Sequence, residues 1–142
     1  MRLMYAVLPM LVLTGCSSYK THPDQITQIP EDRMFEYQRA EQDSGNIIIN
    51  RDMGFIGGGC YVAFKLDRKL AARIGIGETA TFSVAPGRHI VGIAIDEEGE
   101  SLCNNGRLNR EVAVTVTKGQ DEHFRIVSES SSGFDIRAET PE

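Results

Sequence analysis

Cys16 is the residue whose surroundings most directly specify a chemistry. Small Thr14 and Gly15 precede it, a pair that fits a peptidase cleft, and a cysteine thiolate placed there is a nucleophile able to take up a lipid group. The other reactive side chains are dispersed. His22, His89 and His123 fall in a polar stretch, at a strand start and on an outward strand position. No spacing brings a nucleophile, a base and oxyanion donors together, so the chain is read as a non-enzyme. Gly54 to Gly59 is glycine-rich, yet no Gly-Lys-Ser/Thr follows it and no helix opens behind it, as a phosphate cradle would require. Those glycines are read as positions of positive φ and close backbone approach. Asp96, Glu97, Glu98 and Glu100 lack the alternating oxygen ligands closed by a distal bidentate acid that calcium needs. They are read as a solvated loop, and neither a metal nor a cofactor is expected.

The elements that would position Cys16 lie on both sides of it. Upstream, Arg2 supplies a positive end and Leu3 to Leu13 an apolar run interrupted by Tyr5 and Pro9. The run is too short for a membrane span, which takes roughly 20 apolar residues, and suits the apolar region of a signal peptide. Leu13-Thr14-Gly15-Cys16 resembles the lipobox of bacterial lipoproteins. The resemblance implies cleavage before Cys16, a diacylglyceryl thioether on its sulfur and an acylated amino group. Because Ser17 and not Asp follows, it also implies transfer to the outer membrane, with the protein lipid-anchored in the envelope and facing the periplasm. An ordinary secretory signal with an incidental cysteine is the alternative. Downstream, residues 16–32 read as a lipidated, flexible tether, since Ser17, Ser18, Thr21, Pro23, Asp24 and Pro30 punctuate any apolar pattern.

Of the 142 residues, 15 are Lys or Arg and 20 Asp or Glu, giving a formal net charge of −5. The basic residues are spread singly among acids, which argues against nucleic acid as a partner. With Cys16 committed to lipid, Cys60 and Cys103 remain as an even pair in an oxidising compartment. A disulfide is expected; two unpaired buried thiols are the alternative. A zinc site is disfavoured because further ligands at suitable spacing are missing.

From residue 33 to 142 the chain reads as one domain of short strands between turn signals. Phe35 and Tyr37 alternate with Met34, Glu36 and Gln38 and suggest a strand, with a short helix to Asp43 as competitor. Strands are expected at 46–51, where three consecutive isoleucines mark a buried strand, and at 61–66, 69–74, 79–84, 88–95, 111–117, 122–127 and 133–138, most of them with alternating apolar residues. Turns are expected at Asp67-Arg68, Pro86-Gly87 and Lys118-Gly119. The fold class is all-β: an immunoglobulin-like antiparallel β-sandwich, with a small β-barrel as the alternative, following a signal peptide at 1–15 and the tether.

The runs Arg51 to Tyr61, Leu70-Ala71-Ala72-Arg73, Gly77-Glu78 and Ala85-Pro86-Gly87-Arg88-His89 resemble a family of small proteobacterial lipoproteins of unknown function with a C-terminal β-sandwich. In the sandwich modules to which that domain is similar, Asp-Gly occupies the hairpin where this chain has Asp67-Arg68-Lys69. The expected role is a structural or interaction module anchored to the membrane through Cys16, with an envelope protein or cell-wall glycan as partner. The alternative is a periplasmic inhibitor or small-ligand binder resembling the lysozyme-inhibitor lipoproteins. Pairing of Cys60 with Cys103 would draw the glycine loop and the acidic loop to one rim. A binding surface is therefore expected from Arg51, Phe55, Ile56, Asp96, Glu97 and Arg107, unless Phe55 and Ile56 fold back to plug the sandwich end.

Overall fold

The computed structural model describes residues 17–37, 39–54, 59–99, 103, 107–129 and 133–140. Among them lie β1 (Thr27–Gln28), β2 (Gly45–Arg51), β3 (Val62–Leu66), β4 (Lys69–Ile74), β5 (Glu78–Val84), β6 (Gly87–Ile95), β7 (Asn109–Val116), β8 (Asp121–Glu129) and β9 (Gly133–Glu139). They form two sheets, one in the order β1-β5-β2-β8-β9 and the other β4-β3-β6-β7. The sheets pack face to face without closing on each other, so the fold is an all-β sandwich and not a barrel. Most ladders are antiparallel; β1 with β5 and β2 with β8 are parallel.

Period-two alternation accounts for the core. Ile47 and Ile49 of β2, Phe82 of β5 and Ile126 of β8 are sealed from solvent on the first sheet, as are Phe64 and Leu66 of β3 and Val91 of β6 on the second. The inner faces meet at Phe64 and Phe82, whose ring centroids are 5.0 Å apart. Each such side chain contributes about 1.5–3 kcal/mol of burial. Gly45 opens β2 where a side chain cannot fit: a Cβ there would come within 2.5 Å of the Thr117 carbonyl and of Val116.

The Asp67–Arg68 hairpin takes positive φ at both central residues, 52° and 65°, which with a two-residue loop makes it the type I′ turn usually built with glycine. Its neighbours hold it in that conformation. The Asp67 N–H donates to the Ile90 carbonyl at 2.7 Å, and Asp67 Oδ1 accepts the Ile90 N–H at 2.8 Å.

Two expectations are corrected. The described residues of 35–43 form neither strand nor helix. The Phe35 N–H donates to Ala71 on the second sheet, while the Tyr37 carbonyl accepts Ser83 N–H on the first. Tyr37 turns to φ 63° between them, which ends the alternation and laces the two sheets together along one side. The segment from Ser18 to Arg33 is not a free tether. Tyr19 bridges Met53, β1 extends the first sheet, and Ile29 and Thr21 are buried. Its grip comes from backbone hydrogen bonds, the buried Ile29 and the polar side chains of Ser18, Thr21 and Arg33, none of which leaves a periodic signature in sequence.

Candidate functional site

Strand directions divide the sandwich into two ends. β2 and β8 run parallel, so Arg51 and Ser128 mark one end, while Ser44 and the Lys118–Gly119 turn mark the other. Cys60 and Cys103 are disulfide-bonded at the Arg51 end, their Cα atoms 5.3 Å apart, as the cysteine count led one to expect. The binding rim expected beside that bond is not assembled as expected. Arg51 is 3 % exposed and Asp96 2 %; neither can be displayed to a partner. Glu97 and Arg107 are exposed and line one shallow hollow with Lys65, Arg68 and Glu111. Phe55 and Ile56, like Cys16, lie outside the described residues.

The buried charges at this end hold the structure together. Arg51 donates to the carbonyls of Cys60 at 2.7 Å and Ile74 at 2.6 Å, with its guanidinium over the Phe134 ring at 5.2 Å. Burial pulls its pKa down to about 10, partly offset by Glu78, so it remains cationic at neutral pH. Arg33 grips Glu78 bidentately at 2.5 and 2.6 Å, and Arg73 grips Asp96 at 2.8 and 2.7 Å. In each pair the carboxylate hydrogen bond raises the arginine pKa against the lowering effect of burial. Charge-assisted forks of this kind are directional and strong where water is excluded. Both guanidiniums also sit over the Tyr61 ring, at 4.2 and 5.0 Å from its centroid. A further fork joins Arg125 to Asp52, whose Oδ2 also accepts the Ser18 hydroxyl at 2.7 Å. Of the charges expected at a contact surface, Arg51 and Asp96 are thus engaged inside the fold, Arg51 with backbone carbonyls and Asp96 with Arg73.

An open groove of about 500 Å³ occupies the opposite end, lined by Phe35, Glu36, Tyr37, Arg39, Glu41, Ser44, Ser83 and His89 among others. The irregular segment that laces the sheets supplies its aromatic wall. Phe35 is 43 % exposed, and Tyr37 is held in the left-handed region, a strained conformation that in general collects at functional positions. Arg39 and Glu41 are exposed, whereas Glu36 pairs with Lys69 at 3.2 Å. The groove lies within the usual size range of ligand clefts, and its lining mixes apolar rings, hydroxyls and both signs of charge.

His89 borders that groove with both ring nitrogens against acceptors: Nδ1 lies 2.6 Å from Asp67 Oδ2, and Nε2 2.6 Å from the Ala85 carbonyl. Only the doubly protonated ring donates to both. Burial lowers its pKa, but the Asp67 hydrogen bond, the Ala85 carbonyl and the Asp67 charge together outweigh burial and leave it raised. A folded pKa above the unfolded one, about 6.5 for His, gives stabilisation that is complete below the unfolded value and lost as pH rises through the folded one. Wild-type protein is therefore expected to lose melting temperature relative to His89→Gln as pH rises above the ordinary histidine value. Equal pH dependence in the two, measured by calorimetry, would show that the clamp carries no linkage. Because Nε2 faces a carbonyl and not a hydroxyl, the Asp67–His89 pair is not the start of a nucleophile relay.

The chain matches no family model, no curated protein and no solved structure. Sequence reasoning missed Arg33, Tyr61, Arg73 and Glu78 as a cluster and Asp67–His89 as a pair. Glu78 beside Gly77 and the type I′ turn without glycine were the available signals, but pairing residues 22 or 45 positions apart needs the folded chain.

Proposed function

We propose that this chain is a non-enzymatic module of the bacterial envelope. Lipid on Cys16 anchors it to the membrane, on the outer-membrane side facing the periplasm, and it receives an envelope protein in the Phe35–His89 groove. The observation that carries the reading is the groove itself: exposed Phe35 beside a strained Tyr37, with Arg39 and Glu41 free to pair with a partner's charges. Aromatic and arginine side chains are the residue types on which binding energy concentrates. Support for the anchor comes from Leu13-Thr14-Gly15-Cys16 and the apolar run before it. A non-catalytic role is favoured by His89, whose two nitrogens both face acceptors within the fold.

Crosslinked capture from intact cells, with wild type beside Phe35→Ala/Arg39→Glu, tests the groove. Loss of a hot-spot aromatic costs about 2 kcal/mol, roughly a thirty-fold fall in affinity, so a partner captured by the wild type should be largely lost. If a folded double variant recovers every partner equally, the groove is not the site. Recovery of cell-wall glycan fragments would assign the groove to glycan, and inhibition of added lysozyme by the wild type alone would favour the inhibitor reading.

A further inference from the structure

Ser18, two residues beyond Cys16, is fastened at three points. Its N–H donates to the Ser128 carbonyl at 2.7 Å, its hydroxyl donates to Asp52 Oδ2 at 2.7 Å, and its Oγ accepts the Ser128 N–H at 2.8 Å. Asp52 is itself fixed by the Arg125 fork. Gly54 permits this close approach, since a Cβ there would lie 3.2 Å from the Ser18 Cβ. The next residue, Tyr19, is antiparallel to Met53 through reciprocal backbone bonds of 2.9 and 3.0 Å. Consecutive Cα atoms are about 3.8 Å apart, so the two chain steps between a lipid-bearing Cys16 and the rigidly held Ser18 can reach no more than about 7.6 Å. A free tether from residue 16 to 32 would instead reach on the order of 55–60 Å.

That short leash places one corner of the first sheet against whatever holds Cys16. Tyr19 is the most exposed large hydrophobic side chain among the described residues, at 57 %, and tyrosine is a residue type that favours the level of lipid head groups. Among the described residues the acids nearest this corner are paired, Asp52 with Arg125 and Glu129 and Asp135 with Arg137, while Lys20 reaches along the sheet to Glu139. Anionic lipid therefore meets little unopposed negative charge there.

We propose that the corner formed by Ser18, Tyr19, Lys20 and Gly54 rests on the bilayer, with Tyr19 at the head-group level, so that the sandwich stands in a fixed orientation on its membrane. This rests on the reading that Cys16 is lipidated. β8 runs nine residues from Asp121 to Glu129, about 30 Å at the rise of a strand. The Lys118–Gly119 turn and the Phe35–His89 groove are thereby held at the far end, open to the periplasm.

The chain contains no tryptophan, so Tyr19→Trp introduces a single fluorophore at an already exposed aromatic position. Lys118→Trp places one in the far turn. Each mature protein would be purified from its membranes and reconstituted into phosphatidylethanolamine/phosphatidylglycerol vesicles, with and without acyl-brominated lipid. Intact mass of the same preparations reads the lipid on Cys16. The expected result is blue-shifted Tyr19→Trp emission, strongly quenched by brominated lipid, beside unchanged Lys118→Trp emission. Lipidated protein bound to vesicles with neither residue quenched, or both quenched alike, overturns the docking while leaving the anchor intact. A mass without lipid overturns the anchor and the docking together.

Discussion

Arg51→Met is expected to lower the unfolding free energy by about 2–5 kcal/mol, because the half-buried Cys60 and buried Ile74 carbonyls lose the guanidinium donor, and a desolvated acceptor left unpaired costs about 1–3 kcal/mol. Methionine fills much of the space but cannot donate. Arg51→Glu should be worse, since it sets a buried carboxylate against the same two carbonyls. Arg107→Glu, on an exposed residue, should stay within about 0.5 kcal/mol of wild type. Urea unfolding measures all three. An Arg51→Met midpoint indistinguishable from wild type at unchanged slope would show that the guanidinium does not hold this end of the sandwich. Charge reversal at Arg51 is consequently a folding experiment, and a binding defect in that variant would say nothing about an interface.

The second large effect is expected at the disulfide. Cys60 and Cys103 lie 43 positions apart in sequence, and closing a loop of that length restricts the unfolded chain by roughly 4 kcal/mol in the loop-entropy account. Against the roughly 5–15 kcal/mol that holds a typical domain folded, this is a large share. For a domain of this size it corresponds to about 10–20 °C in melting temperature. Calorimetry of oxidised protein beside the Cys60→Ser/Cys103→Ser variant should show that drop, and coincident transitions would refute it. Cys60 is also the residue whose carbonyl Arg51 holds. The two perturbations share a contact, so the triple variant should depart from additivity by at least about 0.5 kcal/mol.

Strand positions were legible from residue 45 onward because alternation is local. Ile47 and Ile49, Phe82 and Val84, Val91 and Ile93, and Phe124 and Ile126 each announce one buried face within a few residues of chain. The disulfide was legible for a different reason: once Cys16 is set aside, only one pairing of Cys60 and Cys103 remains. Residues 18–43 were misjudged where structure leaves no period. Ser18 and Ile29 are held by backbone bonds to strands far along the chain and Thr21 by its hydroxyl on the Arg51 carbonyl, and Tyr37, at positive φ, accepts the Ser83 N–H.

The rim was misjudged because its charges were read as exposed. Local sequence says that Arg51 and Asp96 are polar; it does not say that Arg51 meets the carbonyls of residues 60 and 74, or that Asp96 meets Arg73. An arginine beside a glycine-rich loop reads alike whether it faces solvent or fills a sandwich end. Burial of a charge is decided by whether donors and acceptors from other strands arrive to replace its water, and their arrival depends on sheet order. The sequence by itself determined the short alternating strands, the unique cysteine pair and the lipobox-like segment. Sheet order alone decided that Arg51 and Asp96 lie inside, that Ser18 is clamped beside Asp52, and that the open groove forms around Phe35 and His89 at the other end.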